Sequence, residues 1–161
     1  MNFKTLSLVA ALLLVAGCAQ KGTEGANTSG AGSGAGTNAG QTSAQMLQGQ
    51  LQQVGDRIYF AFDKSDITPE SRQILSKQAD LLKQNPSVTV TIEGHCDERG
   101  TREYNLGLGE RRANATKQAL VALGIAANRV NTISYGKERP AVLGHNEQAW
   151  AQNRRAVTVI Q

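Results

Sequence analysis

A short loop dense in charge and glycine, residues 94–101, contains the side chains best suited to bind a ligand. Asp97 lies in this loop, and Arg112 lies about two turns into the helix that we expect to follow it. A carboxylate accepts hydrogen bonds from an ammonium group, and a guanidinium donates two parallel hydrogen bonds to a carboxylate. If both side chains face one groove, they would hold a zwitterion by its two charged ends.

A strand and a helix must position these two charges. Apolar and polar residues alternate over 88–93, which predicts a strand leading into the loop. A helix is predicted over 105–123, with Gly124 just after its end. On that helix Leu108 and Arg112 are four residues apart and share a face, whereas Arg111 points about 100° away. The helix therefore directs only one of its two adjacent arginines toward the groove.

The surrounding segments predict a complete small domain. Alternation over 58–62 predicts a first strand, and a helix is expected to start with Thr68 as N-cap and Pro69 as its first residue and to end before Pro86. Further elements are a strand over 130–135, a short helix that Asn146 caps and that ends at 153, and a strand over 155–160. This order indicates an α/β (α+β) two-layer sandwich, with a mixed four-stranded sheet and helices on one face.

The first residues, 1–17, have the layout of a secretory signal peptide. Lys4 precedes an apolar run over 6–15 that is too short to span a bilayer. The run ends in Leu-Val-Ala-Gly followed by Cys18, which resembles a bacterial lipobox. We therefore expect lipidation of Cys18, and with it attachment to a membrane rather than a membrane span. An ordinary signal peptide with an incidental cysteine is the alternative.

Between the lipidation site and the domain, residues 18–54 are predicted to form a flexible tether. Most of this segment is rich in Gly, Ala, Ser, Thr and Asn and has no apolar period, so it cannot build a core. Such a coil of some 35 residues averages roughly 30 to 35 Å from end to end. A short helix is expected over 45–54, with Met46, Leu47 and Leu51 on its apolar side. The folded domain is assigned to 55–161.

Composition narrows the class of partner. The formal net charge is +4, but acidic and basic residues are interspersed, so we expect no nucleic-acid partner. If Cys18 is acylated, Cys96 is the only remaining thiol, and no disulfide within the domain is expected.

Several stretches together identify a family. The chain from residue 57 to its end resembles the OmpA-like C-terminal domain family, and within it the peptidoglycan-associated lipoproteins. The resemblance rests on residues 59–64, 93–101, 104–105, 108–115, 134–140 and 153–157. It implies the element order β-α-β-α-β(-α)-β, in agreement with the order predicted from the sequence pattern.

The resemblance implies a binding module without enzymatic activity and without a cofactor or metal. Its members are outer-membrane lipoproteins that bind peptidoglycan non-covalently through the diaminopimelate of the stem peptide. They tether the outer membrane to the cell wall as part of the Tol-Pal system, which serves envelope integrity and cell division, with TolB and other Tol proteins as partners. Ala19, rather than Asp, is compatible with delivery to the outer membrane, with the domain facing the periplasm.

The family pattern also implies the ligand contacts. Asp97 and Arg112 would be the principal contacts with diaminopimelate, which presents an ammonium and a carboxylate on one carbon. Further residues would lie around the same pocket, namely Phe62, Asp63, Thr101 and Leu108. Cys96 is a departure, since many members have Thr or Ala there.

Other interpretations of these residues remain open from sequence alone. Asp97 could cap its own loop, and Arg112 could be a solvated helix charge. His95, Cys96 and Asp97 are adjacent, which is poor geometry for three ligands of one metal ion. Cys96 with a histidine could form a nucleophile and base, and the alternative function is a Cys-dependent cell-wall amidase or peptidase.

Three residues near the end of the chain are interpreted as mainly structural. Arg154 and Arg155 follow a short helix, and the end of a helix favours cations. We also consider a second role for these two arginines at the edge of the pocket. Trp150 is interpreted as a filler of the core or of a hinge.

Overall fold

The computed structural model of the protein describes residues 37–161. The predicted signal peptide, the predicted lipidation site Cys18 and the predicted tether as far as residue 36 lie outside the described residues. The described elements, in chain order, are α1 (Thr37–Val54), β1 (Arg57–Tyr59), α2 (Pro69–Gln84), β2 (Val90–His95), α3 (Arg102–Ala122), a 3₁₀ turn (Ala127–Arg129), β3 (Val130–Gly136), α4 (Glu147–Asn153) and β4 (Arg155–Ile160). Among them, no helix combines the length and the apolar character needed to cross a membrane.

The four strands form one mixed sheet in the order β1-β4-β2-β3. β4 runs antiparallel to both of its neighbours, β1 and β2, whereas β2 and β3 are parallel and connected by α3. Strands β1, β2 and β3 therefore point the same way, and the segments that follow them meet at one edge of the sheet. This confirms the predicted mixed four-stranded sheet of an α/β domain and brings the loops after β1 and β2 together.

Helices α2 and α3 pack against each other and against the sheet. The core between the two layers is almost wholly aliphatic, as expected from a chain with 4% aromatic residues. Its buried members are Ile58, Phe60, Leu75, Ala79, Leu82, Val90, Ile92, Ala113, Leu120, Ile125, Val130 and Ala156.

Two glycines set the distance between α3 and β2. A Cβ added to Gly94 of β2 would overlap with the carbonyl group of Gly109 of α3, and a Cβ added to Gly109 would meet the hydroxyl of Ser134. The backbones of strand and helix therefore touch, which neither position would allow with a side chain. This close contact fixes the start of α3, and with it Arg112, relative to the end of β2.

The predicted N-caps Thr68 and Asn146 are confirmed, and Thr101 is a further N-cap that the prediction missed. Thr68, Thr101 and Asn146 each accept a hydrogen bond from the backbone N–H three residues on, at 3.2, 3.2 and 2.9 Å. After α3, Gly124 has φ +96°, and the N–H of the next residue donates to the carbonyl of Leu120 at 3.1 Å. This pattern is a Schellman motif, in which glycine supplies the left-handed conformation that ends the helix.

The boundaries of three predicted elements differ from those observed. β1 covers only Arg57–Tyr59, because Phe60 donates its last ladder hydrogen bond to the carbonyl of Arg154 and the chain then turns away from the sheet. β2 begins two residues later than predicted and extends to His95, since the sheet continues until the N–H of Cys96 donates to Gly136. α3 begins at residue 102 rather than 105, directly after its cap.

Helix α1 is longer than the short helix predicted over 45–54. It packs against α2 and β4, with Leu47 and Leu51 buried and Met46 exposed, although Met46 was predicted on the apolar side. The amide of Gln48 accepts a hydrogen bond from the N–H of Ile160 at 2.9 Å. The last part of the segment predicted to be flexible is therefore helical and attached to the domain, because its leucines reach a buried surface.

Candidate functional site

The ends of β1 and β2 and the first turns of α3 enclose a cavity of about 170 Å³. Its lining combines two carboxylates, two guanidinium groups and several apolar or aromatic walls. The lining residues are Phe62, Asp63, Cys96, Asp97, Arg99, Gly100, Tyr104, Asn105, Leu108 and Arg112. Five of the six residues predicted as ligand contacts are in this set. The sixth, Thr101, caps α3 through its hydroxyl and is not part of the lining.

Asp97 is buried and accepts four hydrogen bonds. Oδ1 accepts from the backbone N–H and Nε of Arg99, both at 3.1 Å, and Oδ2 accepts from Nη2 of Arg99 at 2.6 Å and from Nη1 of Arg154 at 3.4 Å. Burial alone would raise the pKa of this carboxyl, but the hydrogen bonds from Arg99 outweigh burial and lower the pKa below its usual value. Asp97 is therefore an anion at neutral pH.

Arg112 is completely buried, and three of its nitrogens donate to backbone carbonyls. Nε donates to Lys64 at 2.8 Å, Nη1 to His95 at 2.8 Å and Nη2 to Ala61 at 3.2 Å, while the guanidinium lies 5.2 Å from the ring centroid of Phe60. Burial lowers the pKa of Arg112, but an arginine remains charged in proteins. The side chain ties the loop after β1 to the end of β2, and two of its five N–H groups are not used by these carbonyls.

The two predicted charges thus line one cavity but are bonded to other groups. Asp97 pairs with Arg99 and Arg154, and Arg112 holds three carbonyls. The neighbouring Arg111 is exposed and lies outside the lining, as the helix geometry predicted.

A second carboxylate, Asp63, lies at the rim of the cavity. Its backbone has φ +55°, a left-handed conformation that Asp adopts more easily than most residues. The carboxylate accepts a short hydrogen bond from the hydroxyl of Tyr104, and this bond is the main reason that the pKa of Tyr104 is raised. The loop after β1 is thereby linked to the first turn of α3.

Arg99 was missing from the prediction, although it covers Asp97. Its guanidinium lies 4.1 Å from the ring centroid of Phe62 and 4.0 Å from that of Trp150. The indole N–H of Trp150 in turn donates to Glu98 at 2.8 Å. Both aromatic rings are distant from Arg99 along the chain, so no spacing in the sequence indicates this stack. Trp150 is thus half-buried against Arg99 rather than a core filler.

Arg154 has a structural role and contacts Asp97 without lining the cavity. It is buried, and Nε donates to the carbonyl of Phe60 at 3.0 Å while Nη2 donates to Glu147 at 2.6 Å. Its remaining contact is Asp97. Arg154 therefore fixes the carboxylate of Asp97 from the interior of the domain.

Cys96 is buried beside Asp97, and its thiol donates to the carbonyl of Asn105 at 3.3 Å. Burial raises the pKa of the thiol above its ordinary value, so it is protonated at neutral pH and weakly nucleophilic. His145 pairs with Glu98 at 2.7 Å, on the surface of the domain. Within residues 37–161, no group of three or more His, Cys, Asp or Glu side chains is arranged to hold a metal ion.

Comparison with known proteins gives a consistent result. The OmpA family model matches residues 59–154. The peptidoglycan-associated lipoprotein of Brucella melitensis is 50% identical over 148 residues, which are 92% of this chain and 86% of the relative. The protein of the same name from Haemophilus influenzae is 53% identical over 107 residues, which are 66% of this chain and 70% of the relative.

Solved structures show the same fold. The crystal structure of the peptidoglycan-associated lipoprotein from Burkholderia pseudomallei is 44% identical and has a TM-score of 0.64, covering 66% of this chain and 90% of that structure. The C-terminal domain of Helicobacter pylori MotB has a TM-score of 0.61 at 18% identity, covering 66% and 84%. The similarity to MotB shows a common fold and nothing more.

Proposed function

The chain belongs to the OmpA family, and on this premise we propose that it is an envelope lipoprotein that binds peptidoglycan through the diaminopimelate of the stem peptide. The family match covers more than half of the chain, and the similar proteins from Brucella and Haemophilus are named peptidoglycan-associated lipoproteins. Neither fact identifies the ligand atoms, so the specific proposal depends on the chemistry of the cavity.

The single observation that supports this ligand most strongly is that Asp97 and Arg112 line the same cavity. The free end of diaminopimelate has an ammonium and a carboxylate on one carbon. In the proposed complex the ammonium donates to Asp97, and the carboxylate accepts from the two N–H groups of Arg112 that are not bonded to backbone. Leu108 and Phe62 provide apolar contacts for the methylene chain of the ligand.

The size of the cavity favours an amino-acid head group over a sugar. The volume of the cavity is about 170 Å³. That is room for an ammonium, a carboxylate and a few methylene groups. We therefore place the glycan strand outside the cavity and only the stem peptide within it.

The remaining part of the proposal concerns the location. Lipidated Cys18 would anchor the protein in the outer membrane, and the chain that follows would allow the periplasmic domain to reach the cell wall. This would make the protein a non-catalytic tether between membrane and wall, with TolB and other Tol proteins as further partners. The lipobox, and the word lipoprotein in the names of relatives that match 92% of this chain, support this part.

A sedimentation assay with purified sacculi tests the proposal. The wild-type protein is expected to sediment with diaminopimelate-type sacculi and to stay in solution with lysine-type sacculi. Asp97→Asn removes the anion while keeping the shape of the side chain, and it is expected to abolish sedimentation. Asp80→Asn, at an exposed site on α2, is the matched control and is expected to behave like wild type. Equal sedimentation of the Asp97 variant and wild type would refute the proposed site.

A further inference from the structure

The mouth of the cavity is covered by one flat cation, the guanidinium of Arg99. It lies between the rings of Phe62 and Trp150, at 4.1 and 4.0 Å from their centroids, and its side chain is 31% exposed. Its Nε and Nη2 donate to the two oxygens of Asp97 at 3.1 and 2.6 Å. The carboxylate proposed to bind the ligand ammonium is therefore already paired in the free domain.

The hydrogen-bonding capacity of Asp97 is also fully used. A carboxylate has about four acceptor positions, and Asp97 accepts four hydrogen bonds. An incoming ammonium must therefore displace a donor. The backbone N–H of Arg99 is fixed by the chain, and Arg154 is buried and held by Glu147 and a backbone carbonyl. The partly exposed guanidinium of Arg99 is the donor that can leave.

We propose that Arg99 is a specificity-determining residue of the cavity, which yields Asp97 to the ligand ammonium and pairs with the ligand carboxylate instead. This inference rests on the proposed function. The stack with Phe62 and Trp150 would keep the guanidinium at the mouth during the exchange, since both rings lie about 4 Å from it. Arg99 and Arg112 would then approach the ligand carboxylate from the mouth and from the interior.

The exchange distinguishes between an amino-acid head group and a simple amine. An amino-acid head group brings a carboxylate that replaces the one Arg99 gives up, so the charges in the cavity stay balanced. The side chain of lysine ends in an ammonium alone, and binding it would leave Arg99 without its partner. Because a charge-assisted hydrogen bond is worth about tenfold or more in affinity, Arg99 would select diaminopimelate over lysine.

The test measures the affinities of two stem tripeptides by calorimetry, one ending in meso-diaminopimelate and the other in lysine, which differ by one carboxylate. For wild type we expect a large preference for the diaminopimelate tripeptide. In Arg99→Ala the ratio of the two affinities is expected to fall at least about tenfold. The diaminopimelate tripeptide loses its contact with Arg99, and the ammonium of the lysine tripeptide no longer competes with Arg99 for Asp97. Arg102→Ala, at an exposed arginine on α3, is the control and should keep the wild-type ratio.

The ratio separates this role from a structural one. If Arg99 only supports the loop, Arg99→Ala weakens both tripeptides equally and the ratio is unchanged, which would overturn the inference while leaving the proposed function intact. If wild type binds neither tripeptide, the proposed function fails, and this inference fails with it.

Discussion

We predict that one buried histidine, His95 at the end of β2, makes the domain less stable in acid. Its side chain is 2% exposed, and neither ring nitrogen has a hydrogen-bond partner among the described residues. Burial, and then the positive charges of Arg155 and Arg139, lower its pKa from 6.5 to about 4. Glu93 approaches Nε2 only to 3.6 Å, and Tyr135 stacks at 5.5 Å between ring centroids. The folded domain therefore keeps His95 neutral where the unfolded chain would protonate it.

The direction and size of the effect follow from these two pKa values. Above pH 6.5 the ring is neutral in both states and contributes nothing to the pH dependence of stability. As the pH falls below 6.5, the unfolded chain gains a proton that the folded domain does not gain until about pH 4, so the free energy of unfolding decreases. The loss is about 2 kcal/mol at pH 5 and approaches ~3.4 kcal/mol below pH 4.

Urea denaturation at pH 7.5 and pH 5.0 measures this loss. His95→Phe keeps an aromatic ring against Tyr135 and removes the titrating group, so between the two pH values it should lose about 2 kcal/mol less stability than wild type. His145→Gln removes the other, exposed histidine, and the difference in pH dependence between wild type and His95→Phe should be the same with and without this substitution. Equal losses in wild type and His95→Phe would refute the assignment of acid sensitivity to His95.

Three further substitutions test the packing of the domain, each by urea denaturation and two of them with a matched control. Arg112→Ala leaves three carbonyls without their donor and should cost about 4 kcal/mol, whereas Arg111→Ala, its exposed neighbour, should cost less than about 0.5 kcal/mol. Gly94→Ala forces β2 away from the backbone of α3 and should lower the free energy of unfolding by about 3 kcal/mol. Gly107→Ala, in α3, has space for a methyl group and should be neutral or stabilising. Leu51→Ala should cost about 2 kcal/mol if α1 is part of the folded domain, and no loss would contradict its packing.

The elements that could be predicted from sequence are those set by neighbouring residues. The caps at Thr68 and Asn146, the glycine after α3 and the strand β4 depend on a few adjacent positions, and all are confirmed. The convergence of Asp97 and Arg112 on one cavity was also predictable, because a strand end and a helix face determine it.

The parts that could not be predicted depend on contacts between residues far apart in the chain. The alternation over 58–62 predicted a longer strand than β1, which ends at Tyr59. Phe62 lies outside the sheet, is 58% exposed and stacks on Arg99. Nothing local to Arg112 indicates that its donors serve carbonyls in two other segments. The sequence likewise predicts an apolar side for the helix that contains Leu51, but it does not indicate that this side packs against α2 and β4.

The most direct test of the central claim is a crystal structure of the domain with the stem tripeptide that ends in meso-diaminopimelate. We expect the free ammonium of the ligand within hydrogen-bond distance of an Asp97 oxygen and its carboxylate within hydrogen-bond distance of Arg112. A tripeptide bound outside the cavity, or bound with neither charged group near these two side chains, would contradict the account.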